Sequence, residues 1–359
     1  MIHNRFKSVA TLAMVVLLAI GVQTAFAADI DLSQGVEPAK DKQMVDTAKW
    51  KKNAPWTIGF SNISVVNTWR VQMVKEAEYE ASKYSDLKEL FVTNANGNIT
   101  KQIADVEDML AKGIDALVIT PASPTALVPV IERAFDMGVP VILFSTTADT
   151  TSYVSSVQGD EIYFGEVGMS WLAEAMGGKG NIIGLRGIAG ISAESERWQG
   201  VENVLKKYPS IKVIGTEFAD WAYDKGKIAT ENLLAAHPNI DGVWSSGGAM
   251  TQAAVEAFVA ANRKLVPMTG EANNGFVKTW LKHGFPSIAP VYPTWISAEA
   301  VKLALKILQG QSVYRDYVIN PAPITQKDAA NVVKQDFSDS YWLGSHLPMS
   351  DLVKLYKGK

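Results

Sequence analysis

Short hydroxyl side chains follow two buried strands of this chain and mark a place where a ligand could bind. The apolar runs Ala116–Thr120 and Val139–Phe144 end beside them, at Thr120, Ser123, Ser145, Thr146 and Thr147. Near-continuous apolar runs are typical of parallel strands that are covered on both faces. Ligands of open parallel sheets bind at the carboxyl ends of the strands. The pattern therefore predicts a small, polar and uncharged ligand at this edge of a parallel sheet.

Residues and motifs typical of catalysis or metal binding are scarce. The four histidines lie in the N-terminal segment (His3), at two predicted helix ends (His237 and His283) and in the C-terminal tail (His346). The sequence contains no HExxH, GxSxG or P-loop motif and no carboxylate cluster that suggests calcium. We therefore predict that the protein is not an enzyme and uses no cofactor or metal.

Charge and cysteine content exclude further classes of protein. The chain has 359 residues, a formal net charge of −3 and no long basic run, which argues against a nucleic-acid partner. It has no cysteine, so thiol catalysis, cysteine–zinc sites and a lipid-modified N-terminal cysteine are excluded. An exported protein without disulfides must rely on a large core, which this length permits.

The first 27 residues resemble a cleaved export signal. Arg5 and Lys7 precede the apolar run Thr11–Val22, and Ala25-Phe26-Ala27 fits the small-x-small cleavage pattern. A membrane anchor is the alternative, but this run is too short to span a bilayer comfortably. We expect a signal peptide over residues 1–27 and a mature protein free in the periplasm. Residues 28–54 are polar and uneven and form either a strap or a loose arm.

Regular alternation of strands and helices starts at Trp56 and positions the hydroxyl groups described above. A first series runs to a short strand at Ser152–Val157, and a second series of similar length runs from a helix at Glu161–Met176 to a helix at Asn274–His283. Two consecutive series of this kind predict two similar lobes. The predicted fold class is α/β, with two doubly wound parallel-sheet lobes.

Motifs spread over most of the mature chain resemble periplasmic sugar-binding proteins of the ribose-binding type, the solute receptors of ABC importers. The similarity covers about residues 56–326. Its strongest local matches are Thr57-Ile58-Gly59-Phe60, Ile119-Thr120-Pro121-Ala122, Gly138-Val139-Pro140-Val141-Ile142, Gly187-Ile188-Ala189-Gly190-Ile191-Ser192-Ala193 followed by Glu196-Arg197, and the run from Asn232 to Pro238. The resemblance implies a type I periplasmic-binding fold, a ligand between the lobes, no catalysis and an ABC permease as partner.

The resemblance also implies how the chain is divided. Three crossovers are expected near residues 158–160, 290–292 and 317–320. The N-terminal lobe then comprises residues 55–159 and 292–318. The C-terminal lobe and tail comprise residues 160–291 and 319–359. The protein is expected to be a monomer.

The first lobe is expected to contribute ligand contacts from three places. Asn67, Trp69 and Arg70 open the first helix, where the family carries asparagine, aromatic or Trp-Arg residues. An indole face can stack on the C–H face of a sugar, and a guanidinium donates paired hydrogen bonds to hydroxyls. The alternative is a core Trp69 and a solvated Arg70. Asn94 could reach the ligand or simply form a turn with Asn96. Ser145 and Thr146 stand where ribose receptors carry Asp-Arg.

The resemblance assigns further contacts to the second lobe. Arg197 matches an arginine that reaches the sugar in this family, although a surface ion pair with Glu194 or Asp220 is the alternative. The remaining candidates come from four places. Trp221 with Tyr223 forms an aromatic platform, and Gly247 leaves room for the ligand. Glu271 is a carboxylate with the neighbouring amide Asn273, and Tyr292 is an aromatic at the crossover beside Val291. Asn274 is either a further ligand contact or a helix N-cap, and Trp198 is a third aromatic or a core residue.

Ser145 and Thr146 replace the Asp-Arg pair of ribose receptors. This departure from the ribose pattern makes ribose itself doubtful as the ligand. We expect a neutral sugar, a polyol or a sugar-derived signal molecule, captured by closure of the two lobes and delivered to an ABC importer. The alternative is a ligand-sensing periplasmic receptor that docks on a sensor kinase or chemoreceptor.

Overall fold

The computed structural model describes residues 30–358 and contains two mainly parallel sheets, each flanked by helices, together with one short ribbon. The predicted signal peptide lies outside the described residues. The first sheet has the spatial order Val36–Pro38 (β1), Asp316–Ile319 (β14), Ser155–Gly159 (β7), Val141–Phe144 (β6), Ala116–Ile119 (β5), Trp56–Asn62 (β3) and Leu87–Asn94 (β4). The second has the order Ser287–Ile288 (β12), Met268–Thr269 (β11), Gly242–Ser245 (β10), Gly180–Arg186 (β8) and Ile211–Phe218 (β9), and the ribbon pairs Met44–Val45 (β2) with Val313–Tyr314 (β13).

Helices cover both faces of each sheet. The first lobe carries Thr68–Ala81 (α1), Ile99–Ala111 (α2), Val128–Asp136 (α3) and Ile296–Leu308 (α9). The second lobe carries Glu161–Ala175 (α4), Ser192–Leu205 (α5), Tyr223–Ala236 (α6), Gly248–Ala260 (α7) and Asn274–His283 (α8), and the tail adds Ala329–Val332 (α10) and Met349–Tyr356 (α11). Within residues 30–358, no helix has the length and apolar character that a membrane span requires.

The central strands confirm the parallel arrangement expected from their composition. β5 and β6 are fully buried and pair in parallel, with Leu117 opposite Val141 and Ile119 opposite Leu143. Both of their faces are covered by helices, so neither face selects polar residues and no alternation develops. The hydroxyl side chains that follow these strands therefore lie at one edge of the sheet.

The chain passes between the lobes at three places. It leaves the first sheet after Gly159, enters α4 at Glu161, returns from the second sheet before α9, and leaves again after Ile319. The first and last passages follow β7 and β14, which are parallel neighbours. Tyr292 of the middle passage accepts a hydrogen bond from the backbone N–H of Gly159 at 3.4 Å. The three passages therefore lie close together and form a connection suited to a hinge.

Residues 30–54 form a strap on the first lobe rather than a loose arm. β1 pairs antiparallel with β14, and β2 pairs antiparallel with β13. Ser33 anchors this strap, because its backbone N–H and its hydroxyl both donate to the fully buried carboxylate of Glu299, at 2.9 and 2.6 Å. The strap covers an edge of the sheet that would otherwise expose unpaired backbone groups.

Candidate ligand-binding site

A cavity lies between the lobes and is lined by residues that follow the carboxyl ends of strands in both sheets. Its unfilled space is about 460 Å³, which includes part of the open solvent at its mouth. The lining consists of Asn67, Trp69, Arg70, Ser145, Thr146, Glu161, Ile191, Ala193, Arg197, Trp221, Glu271, Tyr292 and Trp342.

The start of α1 builds the first-lobe wall. Asn67 is the N-cap of α1, and its side chain accepts a hydrogen bond from the backbone N–H of Arg70 at 2.9 Å. This cap fixes the start of α1 and therefore the positions of the residues in its first turn. Trp69 Nε1 donates to the carbonyl of Tyr292 at 2.9 Å, and the two ring centroids are 5.5 Å apart. The first helix is thereby tied to the second crossover at the edge of the cavity.

Arg70 is a buried cation in this wall. Its Nη1 donates to Asn62 Oδ1 at 3.2 Å, and Asn62 in turn donates to Asn94 Oδ1 at 2.8 Å. Burial lowers the pKa of Arg70 to about 10, so the guanidinium remains charged at neutral pH. Among the described residues, no carboxylate forms an ion pair with it. A guanidinium has five N–H donors, so Arg70 retains donors for a ligand.

The loop after β6 contributes polar groups without charge. Thr146 Oγ1 lies 2.9 Å from both Thr120 Oγ1 and the carbonyl of Pro121, so the protein largely satisfies this hydroxyl. Ser145 has a positive φ of 62°, a conformation that non-glycine residues adopt rarely. Its carbonyl accepts a hydrogen bond from the Tyr292 hydroxyl at 3.3 Å.

Three buried charges form the second-lobe wall. Arg197 Nε donates to Glu161 Oε2 at 2.6 Å, and its Nη1 donates to the carbonyl of Ser246 at 2.7 Å. The same Nη1 lies 3.4 Å from Glu271 Oε1. These three charged side chains are at most 5 % exposed. The guanidinium also lies 3.8 Å from the centre of the Phe164 ring, which holds it rigidly between its partners.

One carboxylate oxygen of this network has no partner. Among the described residues, nothing hydrogen-bonds to Glu161 Oε1, although that atom is buried. Burial raises the pKa of Glu161, while Arg197 opposes the shift. Burial likewise raises the pKa of Glu271 to about 7. A ligand hydroxyl that donates to such an oxygen would satisfy a buried acceptor.

The alternative ion pairs for Arg197 are formed by other cations. Glu194 pairs with Arg186 at 2.6 Å, and Asp220 pairs with Lys225. Arg197 therefore points into the cavity because its own partners, Glu161 and Glu271, lie there.

Trp221 is fitted into the second-lobe wall by two glycines. Its Nε1 donates to the carbonyl and to the hydroxyl of Ser246, at 3.0 and 2.7 Å. A Cβ at Gly187 would lie 2.2 Å from the indole, and a Cβ at Gly247 would lie 2.7 Å from it. Only glycine leaves room for the ring at these two positions, since both distances are far below van der Waals contact.

All three indole N–H groups of the cavity are bonded to protein. Trp69 and Trp221 donate as described, and Trp342 Nε1 donates to Thr68 Oγ1 at 2.9 Å. The rings therefore offer apolar surface to a ligand, and its hydrogen bonds must come from the arginines, glutamates and polar loop residues.

Two predicted contacts lie away from the cavity because other groups bind them. Asn94 accepts from Asn62 and thus supports Arg70 from behind. Tyr223 is 36 % exposed, and its hydroxyl donates to the carboxylate of Glu256 on α7. The prediction that these two side chains face the ligand is not supported.

Gly247 and Asn273 are also corrected by the structure. Gly247 accommodates the ring of Trp221 instead of lining the cavity. Asn273 is the N-cap of α8, where its Oδ1 accepts from the backbone N–H of Phe276, and its Nδ2 donates to the carbonyl of Asp339. Asn274 is not the cap, because it lies inside the first turn of the helix. Trp198 packs edge-on against Trp244 in the second-lobe core.

The structure adds four residues to the cavity that the sequence did not indicate. Glu161 directly follows the predicted crossover at residues 158–160, so that position offered a usable signal. Ile191 and Ala193 lie inside the family-matched segment from Gly187 to Ala193 and contribute apolar surface. Trp342 lies in the tail, far from any family motif, and only the folded chain brings it to the site.

A model of the periplasmic binding protein domain matches residues 58–312. The chain belongs to this periplasmic-binding-protein family. The ribose import binding protein of Bacillus subtilis is 28 % identical over 260 residues, which are 72 % of this chain and 84 % of that protein. The xylitol-binding protein of Mycolicibacterium smegmatis is 33 % identical over 183 residues, which are 51 % and 52 % of the two chains.

Solved structures of binding proteins share the fold. The fructose-binding periplasmic domain of a hybrid two-component system superposes with a TM-score of 0.72 at 27 % identity, covering 77 % of this chain and 92 % of that one. An ABC transporter solute-binding protein from Mycobacterium smegmatis with bound glycerol gives a TM-score of 0.73 at 26 % identity, covering 81 % and 99 %. The predicted two-lobe fold of the ribose-binding type is confirmed, and the relatives are binding proteins rather than enzymes.

Proposed function

We propose that this periplasmic binding protein captures a neutral sugar or polyol between its lobes and delivers it to an ABC importer. The observation that carries the proposal is the composition of the cavity wall. The wall contains two buried guanidiniums, Arg70 and Arg197, and two buried carboxylates, Glu161 and Glu271, so their formal charges cancel. A ligand with net charge would upset this balance in a desolvated site, whereas hydroxyl groups can both accept from the arginines and donate to the glutamates.

The aromatic part of the wall supports the same ligand class. The indoles of Trp69, Trp221 and Trp342 present apolar surface, because their N–H groups are bonded to protein. Sugars and polyols have C–H groups that pack against such surface while their hydroxyls bind elsewhere. The names of the relatives, which include ribose-, xylitol- and galactofuranose-binding proteins, agree with this class.

Contacts from both lobes supply the proposed mechanism. Arg70 and Trp69 belong to the first lobe, whereas Glu161, Arg197 and Glu271 belong to the second. A ligand that touches both walls binds the closed form more tightly than the open form, and this difference in affinity shifts the population toward closure. The closed form would then be recognised by the permease. We infer no chemical change in the ligand.

A signalling receptor is the second candidate. The fructose-binding domain that shares this fold belongs to a hybrid two-component system, so the same closure can serve a sensor kinase. Uptake of radiolabelled sugar by cells with and without the gene separates the two functions. Import predicts that uptake falls in the deletion strain, and signalling predicts unchanged uptake with altered gene expression.

A thermal-shift screen tests the proposed ligand class. The panel contains D-ribose, D-fructose, xylitol and glycerol, together with sugar acids and amino acids. A neutral sugar or polyol should raise the melting temperature clearly, because ligand at about 100 times its Kd stabilises the folded state by about 2.7 kcal/mol. Stabilisation by amino acids or sugar acids alone would contradict the proposal.

We further propose that residues 1–27 are a cleaved signal peptide and that the mature protein is a periplasmic monomer. The residues that support export are the charged start, the apolar run and the Ala25-Phe26-Ala27 site. N-terminal sequencing of protein released by osmotic shock should begin at Ala28, and size-exclusion chromatography should give the monomer mass.

A further inference from the structure

The C-terminal segment 329–357 lies beyond the family-matched region and is bound to the start of α8 in the second lobe. The backbone N–H groups of Asn274 and Gly275 donate to the carbonyls of Tyr341 and Asp339, at 2.8 and 3.2 Å. Leu343 N–H donates to the carbonyl of Ala272 at 2.9 Å. The first two bonds satisfy N–H groups at the start of α8 that have no partner within the helix.

Two further features show that the start of α8 is shaped to bind this segment. The Asn274 side chain exchanges hydrogen bonds with Lys334, accepting from its N–H at 2.9 Å and donating to its carbonyl at 2.9 Å. A Cβ at Gly275 would lie 2.6 Å from the Cβ of Asp339. The segment also buries apolar side chains in the second-lobe core, at Phe337, Tyr341, Leu343, Leu347, Leu352 and Tyr356. The segment is therefore packed into the second lobe.

The same segment crosses to the first lobe at Trp342. The buried side chain of Gln72 on α1 accepts from the backbone N–H of Trp342 at 2.9 Å and donates to its carbonyl at 3.0 Å. Trp342 Nε1 donates to Thr68 one turn earlier on α1, at 2.9 Å. Glu76, one turn later on α1, accepts from the Ser345 hydroxyl at 2.5 Å. On the first lobe the segment is thus bound by side chains of α1, and the ring of His346 stacks on Trp295 before α9 at 4.5 Å.

Trp342 is also a wall of the ligand cavity. It is 3 % exposed and shares the lining with Trp69 and Arg70, which start the same helix that binds it. We propose that the C-terminal segment is a fourth link between the lobes, which brings Trp342 to the ligand and stabilises the closed form through its contacts with α1. This proposal rests on the proposed function for the identity of the ligand but not for the link between the lobes.

The physical reason is that the segment is bound on both sides of the cavity. Its bonds to the second lobe are backbone bonds backed by an apolar core. On the first lobe it is bound by Gln72, Thr68 and Glu76, and Trp342 packs in the apolar core of that lobe. An opening of the lobes that separates the segment from α1 therefore exposes the polar groups of Trp342 and Gln72 to water and withdraws the indole from the first-lobe wall.

Small-angle scattering of the full-length protein without ligand tests the link. Gln72→Ala and, independently, the milder surface change Thr68→Val should increase the radius of gyration, because each weakens the attachment to α1. Gln252→Ala is the matched control, since Gln252 binds Asp339 of the same segment at 3.0 Å but within the second lobe. Its scattering should equal that of the wild type. Wild-type scattering from both α1 variants, with native circular dichroism, would overturn the proposal.

A binding measurement tests the role of Trp342 itself. Trp342→Phe should weaken binding of the best stabiliser among D-ribose, D-fructose, xylitol and glycerol about tenfold, or change the order of affinities in that panel. Trp198→Phe, the same substitution outside the cavity, should leave both unchanged. Equal affinities for Trp342→Phe and wild type would overturn the assignment of Trp342 as a ligand contact. A flat panel would contradict the proposed sugar function, while the scattering still decides whether the segment links the lobes.

Discussion

Glu161 combines a structural and a binding role in one carboxylate. Its Oε2 holds Arg197 at 2.6 Å, while its Oε1 is buried without a partner among the described residues. A ligand hydroxyl that donates to Oε1 would satisfy this buried acceptor, so the same carboxylate can hold Arg197 and bind the ligand.

Replacing Glu161 with glutamine should therefore weaken ligand binding by about 1–2 kcal/mol. Glutamine preserves the shape of the side chain but replaces one carboxylate oxygen with a donor. Titration calorimetry with the best-stabilising sugar measures the change. Glu166→Gln on the same helix is the control, because Glu166 bonds to Asn203 outside the cavity. Equal affinities of the two variants would contradict the role of Glu161.

Glu271 should make stability depend on pH. Burial raises its folded-state pKa from 4.5 to about 7, against the opposing effect of Arg197. A raised folded pKa stabilises the protein fully below the unfolded value, and this contribution is lost as the pH rises through about 7. Between pH 5 and pH 8 the wild type should lose on the order of 2 kcal/mol relative to Glu271→Gln.

Urea unfolding of both proteins at the two pH values measures this difference. The same ionisation favours ligand hydroxyls that donate to Glu271, so sugar affinity of the wild type should fall as the pH drops below 7. Parallel stability profiles for wild type and Glu271→Gln would show that this carboxyl does not titrate in that range.

At the scale of elements, the N-terminal strap completes the first lobe. β1 covers the outer edge of β14, which is also one of the segments that connect the lobes. Ile30 at the start of the strap is 5 % exposed and belongs to the first-lobe core together with Trp50. The strap therefore stiffens the base from which the hinge emerges.

Ile30→Ala should lower the free energy of unfolding by about 2 kcal/mol, because it removes buried methyl groups and leaves a cavity. The matched control is Ile228→Ala, since that isoleucine is 59 % exposed and should change stability by less than about 0.5 kcal/mol. Urea denaturation of both variants provides the comparison. Equal small effects would mean that the strap packs loosely.

At the scale of the whole molecule, function depends on relative motion of two lobes that share one cavity. Each lobe has its own apolar core, so each can move as a rigid body. The three crossovers and the C-terminal segment define the paths along which that motion is restrained. Ligand contacts from both walls supply the energy that favours the closed form.

The radius of gyration should decrease when the best-stabilising sugar is added at saturating concentration. The expected change arises from closure of the lobes around the ligand and is measured by small-angle scattering. A compound from the same panel that gives no thermal shift serves as the control and should leave the scattering unchanged. A stabilising sugar that leaves the scattering unchanged would mean that binding does not depend on lobe closure.

Periodicity and local motifs predicted most of the fold and part of the site. Buried strands such as β5 and β6 can be predicted from their continuous apolar runs. The residues after them were predicted at the correct edge of the sheet. Arg70, Arg197 and Trp221 were found because family motifs lie beside them. The prediction for Tyr223 failed because its side chain, two residues after Trp221, turns away from the cavity. Its hydroxyl is bound by Glu256 on a neighbouring helix.

The amino-acid order alone was sufficient for the two-lobe α/β architecture, because strand burial and helix capping are local properties of the chain. It could not reveal the unpaired oxygen of Glu161, the glycines that make room for the Trp221 ring, or the position of Trp342 in the cavity wall. Each of these depends on which distant segments meet: Trp342 and Gln72 are 270 positions apart in sequence. Such contacts follow from how the lobes and the tail pack, and no local pattern encodes them.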